Sequence, residues 1–255
     1  LFARVTYRLR PADSPWDCRL TRILIPSALE EKMIRNHCKV LVAIGLLYVS
    51  ACCQAQSASR PEITEWTWEV RPEQVDRQLP NVLLVGDSIT RNYFPAVQHE
   101  LSGRANVYLF AASTSLGDPR LDSQLNEFAA LEGVKFSVVH FNNGMHGWSY
   151  TEKEYATSFP SYVATLRKIA SGAHLIWAST TPVKKDSPLG PSNKRIKVRN
   201  AEALQIVNRD LIAVDDQYTL MLRYPNLYLD DVHFNPEGSS LQGRQVVSTI
   251  EKYLK

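Results

Sequence analysis

The sequence predicts an α/β domain, a parallel sheet with helices covering both faces. Three observations carry this. From Pro80 onward, apolar runs of strand length alternate with segments of helical period. The connections are long enough to hold a helix, so successive strands run parallel. A chain of 255 residues, 44% hydrophobic and 22% charged, is long enough for one domain with a full core.

Upstream of Pro80, EWTWEV (65–70) alternates like an edge strand, and Trp66 and Trp68 are expected to pack. NVLLVGDS (81–88) is a buried strand ending in a turn, and 90–101 the helix after it. NVYLFAAS (106–113) and 121–131 repeat the pair. FSVVHFNNG (136–144) is the third strand, followed by a helix over 151–170 that contains Pro160. HLIWASTT (174–181) is the fourth strand, and a long helix is predicted over 197–214. NLYL (226–229) is predicted as a short last strand and 236–254 as the terminal helix. The polar loop 183–196 follows the fourth strand, at the carboxyl edge where open α/β sheets bind ligands.

The charge is unevenly spread. Residues 1–51 hold eight Lys/Arg against four Asp/Glu, so the formal +3 belongs to the leader and the remainder carries −1. A nucleic-acid partner finds no support there. The leader divides at Met33. Residues 1–32 read as a gene-start artefact. From Met33 a short basic stretch precedes the apolar run 40–51, a signal-peptide core too short to span a bilayer. Residues 33–52 are thus read as a signal peptide, 53–79 as tether and N-terminal extension, and 80–255 as the folded domain. Val49-Ser50-Ala51-Cys52 resembles a bacterial lipobox, with plain secretion as the competing reading. The expected location is periplasmic, cell-surface or secreted, with membrane contact only through a lipid anchor at Cys52. The four cysteines lie at positions 18, 38, 52 and 53, which leaves none in the domain for a zinc cluster.

Two places carry chemistry. Gly86-Asp87-Ser88 ends the first strand and opens a helix, so Ser88 points into the crevice at the sheet's carboxyl edge. Its own N–H sits at a helix N-terminus, where a developing oxyanion is favoured. Asp230-Asp231-Val232-His233 lies near the C-terminus. A serine needs a base to take its proton, and an imidazole held by a carboxylate is the usual one. A carboxylate three residues before a histidine on a tight loop can fold back onto the ring.

GDSIT after the first strand, with DxxH near the C-terminus, resembles the first and last sequence blocks of the SGNH (GDSL-like) hydrolases. The resemblance covers about residues 80–255. It implies a three-layer α/β/α flavodoxin-like sheet of about five parallel strands, in the order 2-1-3-4-5. It also implies a serine esterase with Ser88 as nucleophile and Asp230 and His233 as its partners; the family spacing selects Asp230 over Asp231. The second block implies that the N–H of Gly117 joins that of Ser88 in the oxyanion hole. The third block departs from the family's Gly-x-Asn-Asp, because this chain has Asn142-Asn143-Gly144-Met145-His146. One register gives the oxyanion donor as Asn143, which is the preferred reading, and the other gives His146.

Trp148, Tyr150 and Tyr155 follow at once as a candidate sugar platform or as packing. His146, Trp148 and Arg199 are candidate substrate contacts, with Asn200 beside Arg199. The variant block resembles that of an exported bacterial branch acting on carbohydrate. The expected activity is therefore ester hydrolysis without metal or organic cofactor, on a small-molecule or polysaccharide ester, with deacetylation of carbohydrate favoured. A lipid or acyl esterase, and a non-catalytic carbohydrate-binding protein on the same fold, are the alternatives.

Overall fold

The computed structural model describes residues 58–254, which belong to one compact unit beginning at Ser57. The segment 1–32 read as a gene-start artefact, the expected signal peptide 33–52 with Cys52, and residues 53–57 of the expected tether lie outside the described residues.

Six strands form one sheet: β1 (Thr67–Val70), β2 (Asn81–Gly86), β3 (Asn106–Ala112), β4 (Phe136–Phe141), β5 (His174–Ala178) and β6 (Ala213–Asp215). Their order is β1-β3-β2-β4-β5-β6. The strands β2 to β6 pair in parallel, and β1 closes one edge antiparallel to β3. Without β1 this is the expected order 2-1-3-4-5.

Side chains alternate across each strand, which gives the sheet two apolar faces. Leu83 and Val85 point to one core, with helices α2 (Arg120–Glu132), α3 (Glu152–Ile169) and α4 (Asn193–Arg209). Val82 and Leu84 point to the other, with α1 (Ser88–Glu100) and α6 (Pro236–Ile250). A short helix, α5 (Gln217–Leu222), follows β6. Among the described residues, no helix is long and apolar enough to cross a membrane.

Two elements differ from the sequence reading. The helix expected over 197–214 begins earlier, at Asn193, and ends at Arg209. The chain then turns through Leu211 at φ 53°, and Ala213–Asp215 forms the fifth parallel strand. The segment 226–229 is not a strand. Pro225–Leu227 is a 3₁₀ turn, and Tyr228 meets Phe234 in an isolated antiparallel bridge. That bridge closes the loop carrying Asp230 and His233.

Residues 58–66 run across the carboxyl edge of the sheet as a strap, ahead of the domain boundary expected at residue 80. The Ser59 hydroxyl donates to Asp118 at 2.6 Å, the Arg60 N–H to the Tyr150 hydroxyl at 2.9 Å, and the Ser113 hydroxyl to Glu65 at 2.9 Å. The strap thus ties the loop after β3 to the loop after β4.

Candidate active site

Ser88 is the first residue of α1, directly after β2. Asp87 caps the helix by accepting the Ile89 N–H at 2.9 Å. Gly86 is required at the elbow, because a Cβ there would meet the Thr90 hydroxyl oxygen at 2.0 Å. The strand therefore passes into the helix through Asp87 alone, and Ser88 is fixed at the carboxyl edge.

The second half of the site comes from the other end of the chain. Leu229 donates its N–H to His233 O at 2.8 Å, and Asn235 donates its N–H to Leu227 O at 2.8 Å. Asn235 also caps α6 through Gly238 N–H at 2.9 Å. Within this closed loop, one oxygen of Asp230 accepts the N–H groups of Val232 and His233 at 2.7 and 2.6 Å. The other lies 2.8 Å from His233 Nδ1. The far ring nitrogen, Nε2, lies 2.7 Å from the Ser88 hydroxyl. Partial burial pushes the Asp230 pKa up, but the two N–H groups and the His233 ring outweigh it and hold it at about 2. Asp230 is therefore a carboxylate at neutral pH and accepts the Nδ1 proton, which leaves Nε2 as the lone pair facing serine. The Asp231 side chain is exposed; its carbonyl accepts the Lys184 N–H at 2.9 Å, so the loop after β5 buttresses this one.

On the opposite side, the loops after β3 and β4 flank the elbow, because β3 and β4 are the two neighbours of β2. Neither the Ser88 N–H nor the Gly117 N–H donates a hydrogen bond among the described residues. Gly117 has φ 99°, a conformation that suits glycine.

The third-block residues tie the loop after β4 to its neighbours. Asn143 is buried, and its amide is committed to the loop after β3. Its oxygen accepts the Leu116 N–H at 2.8 Å, and its nitrogen donates to Thr114 O at 3.1 Å. Asn143 thus braces the two loops with its oxygen and one of its two amide N–H groups, and the second N–H has no partner among the described residues. His146 instead lies with Nδ1 2.9 Å from Glu62 of the strap, whose other oxygen accepts the Gly147 N–H at 2.9 Å.

The remaining candidates have structural tasks. Arg199 is 1% exposed and was expected at the surface or on substrate. Its guanidinium donates to the carbonyls of Gly144, His146, Gly147 and Tyr150 at 2.7–3.3 Å. It also stacks 4.0 Å from the Trp148 ring centroid, with Arg195 5.0 Å from the same ring. Burial lowers its pKa to about 10, so it stays charged at neutral pH. Trp148, partly exposed, is engaged by two arginines, whereas Tyr150 and Tyr155 are each 1% exposed and serve as packing residues and not as an open platform. Asn200 brackets Thr180, accepting its N–H and donating to its carbonyl at 2.8 Å each.

The sequence reading missed Glu62 and Arg91. Glu62 lies in a strap with no motif around it. Arg91, one turn after Ser88, lies 5.2 and 5.3 Å from the ring centroids of Trp66 and Trp68. The spacing of Ser88 and Arg91, three apart on a helix, could have placed them on one face.

No protein-family model matches the sequence, and no curated protein does. Solved structures do match. A lipase/acylhydrolase from Enterococcus faecalis superposes with TM-score 0.53 at 20% identity, over 69% of this chain and 98% of that one. A member of the lipolytic G-D-S-L family from Veillonella parvula gives 0.53 at 16%, over 68% and 98%. A GDSL-like lipase from Bacteroides thetaiotaomicron gives 0.53 at 17%, over 71% and 92%. The chain has the fold of the SGNH hydrolases. In that fold the three first-block residues Gly86, Asp87 and Ser88 form the elbow after β2, and the last-block residues Asp230 and His233 form the loop before α6.

Proposed function

We propose that this chain is a serine ester hydrolase of the SGNH type. The observation that carries the reading is the continuous relay from Ser88 through His233 to Asp230: Ser88 and His233, 145 residues apart in the chain, meet at 2.7 Å, and the far side of the ring faces Asp230 at 2.8 Å. His233 Nε2 takes the Ser88 proton while the serine oxygen attacks the ester carbonyl. The Ser88 and Gly117 N–H groups stabilise the oxyanion. The alkoxide then leaves with the proton carried by His233, and water cleaves the acyl-enzyme along the reverse proton path. Asp230 keeps the ring in the required tautomer and offsets its transient charge. The lipase and acylhydrolase names of proteins sharing the fold support acyl-ester chemistry.

Carbohydrate acetyl esters are the proposed substrates. An indole pair, Trp66 and the half-exposed Trp68, lies with Arg91 one helical turn from the nucleophile, and such faces suit sugar rings. The signal-like leader supports action outside the cytoplasm. A longer-acyl or lipid esterase is the second reading. It is favoured by a groove of about 420 Å³ between Asn92 and Pro95 on α1 and Leu229 and Phe234 on the triad loop. Acetate release from acetylated polysaccharides, set beside a chain-length series of 4-nitrophenyl esters, tests both. Preference for acetyl over octanoyl with release from polysaccharide is expected. Preference for octanoyl with no release from polysaccharide selects the lipid reading, and binding of polysaccharide without any turnover selects a non-catalytic binder.

A further inference from the structure

Ser88 opens α1, and the residues three and four places on are its neighbours on the helix surface. Asn92 faces the triad loop, where it lines the groove with Leu229 and Phe234. Arg91 faces the other way. Its guanidinium lies 5.2 Å from the Trp66 ring centroid and 5.3 Å from that of Trp68. Arg91 therefore stands on the side of Ser88 away from His233, against the half-exposed Trp68. Trp66 extends this wall toward the loop after β4, where it meets the His146 ring edge-on with centroids 6.0 Å apart.

Among the described residues four arginines lie over aromatic rings, and three of them also bond oxygen. Arg60 pairs with Glu154, Arg195 with Glu152, and Arg199 with the carbonyls of the loop after β4. The Arg91 guanidinium has no oxygen partner among the described residues and is partly exposed. The acids that flank the two indoles and Ser88 in the chain are engaged elsewhere. Glu65 accepts the Ser113 hydroxyl and faces Arg120 at 3.3 Å, Glu69 faces Arg71 at 3.8 Å, and Asp87 caps α1. Aromatic contact occupies the faces of a guanidinium, whereas its N–H groups lie in the plane and call for acceptors. The indole pair thus holds a cationic fork beside the nucleophile with its donors uncommitted.

Resting on the esterase reading above and narrowing its substrate, we propose that Arg91 binds a carboxylate of the substrate, so that the preferred substrate is an acetyl ester of a uronic-acid polysaccharide. A guanidinium and a carboxylate match in shape, because two parallel N–H···O bonds form in one plane. A neutral sugar offers only hydroxyls, whose bonds to the fork lack the opposite charge and are weaker. The acetyl carbonyl meets Ser88 while the carboxylate of the same or the adjoining sugar meets Arg91, one helical turn away. The ion pair forms on binding and does not change as the acetyl group reacts, so it is expressed in KM more than in kcat.

The test is acetate release from acetylated polygalacturonate and acetylated alginate, each as the free acid and with its carboxylates methyl-esterified. The wild type, Arg91→Gln and Arg91→Lys are compared. With at least one of the two polymers the wild type is expected to prefer the free acid in kcat/KM by about tenfold, mainly through KM. Added salt should shrink that preference by screening the pair. Arg91→Gln should remove the preference, and Arg91→Lys should keep part of it, since the charge stays and the fork is lost. A residue that only packs against the indoles would lower release from both forms alike and leave their ratio unchanged. The proposal is overturned if the wild type cleaves the esterified polymers as well as the free acids, or if Arg91→Gln keeps the ratio. It is also overturned if 4-nitrophenyl acetate is turned over while neither acidic polymer releases acetate. Should Arg91→Gln fail to fold, the wild-type ratio and its salt dependence decide. Absence of any Ser88-dependent turnover, 4-nitrophenyl acetate included, instead removes the esterase reading itself.

Discussion

Asp230 grips His233 twice, accepting its backbone N–H at 2.6 Å with one carboxylate oxygen and facing its ring Nδ1 at 2.8 Å with the other. The loop and the imidazole are therefore set by one side chain. Asp230→Asn keeps an oxygen for the backbone but turns an NH₂ group toward Nδ1–H, which favours the wrong tautomer. The expected loss in kcat is on the order of 10⁴-fold. Asp231→Asn should change kcat by less than about threefold, since that side chain points to solvent and ordinary surface changes are small. Steady-state kinetics of both variants checks the pair, and equal losses would assign the carboxylate wrongly.

The depressed pKa of Asp230 fixes the sign of its pH effect. A carboxylate held at about 2 contributes stability above its unfolded value that is lost only as pH falls toward 2. Above about pH 5 Asp230 stays charged, so a change in turnover there does not come from this carboxylate. Urea denaturation at about pH 7 and about pH 3 checks the sign: the wild type should lose more stability on acidification than Asp230→Asn, and equal losses would contradict the depressed carboxylate.

Arg199 is predicted to matter for folding more than for substrate. Arg199→Lys replaces a flat fork by a point charge that cannot reach four carbonyls. The expected destabilisation is about 3–5 kcal/mol, as for breaking a buried charged cluster. Urea denaturation measures it. An unchanged midpoint together with a raised KM would return Arg199 to the substrate.

Asn143→Ala leaves the Leu116 N–H and the Thr114 carbonyl without their buried partner. A loss of about 1–3 kcal/mol is expected, with any fall in kcat following displacement of the Gly117 loop. A large fall in kcat at unchanged stability would show that Asn143 donates directly.

The sheet was legible in the sequence because each long strand is an apolar run and each helix has a 3.6-residue period. Ala213–Asp215 was not, because three residues carry no period and follow directly on helical sequence. NLYL has strand composition but pairs only through Tyr228 and Phe234, and the need to close the triad loop prevails over local propensity. Ser88 and the Asp230–His233 spacing could be read because their geometry is local to a turn and a loop. Arg199 could not. It sits in a Lys/Arg-rich stretch that looks solvated, and its partners are carbonyls 49–55 residues away. Glu62 was hidden for the same reason, since its link to His146 spans 84 residues.

Covalent trapping of the nucleophile tests the central claim most directly. The protein is treated with a sulfonyl fluoride or an organophosphonate, digested, and the adduct mapped by mass spectrometry, with 4-nitrophenyl acetate turnover followed in parallel. The account predicts one adduct, on Ser88, formed in step with the loss of turnover. It also predicts neither adduct nor turnover in Ser88→Ala of unchanged circular dichroism. An adduct on another residue, or full turnover in Ser88→Ala, would contradict it.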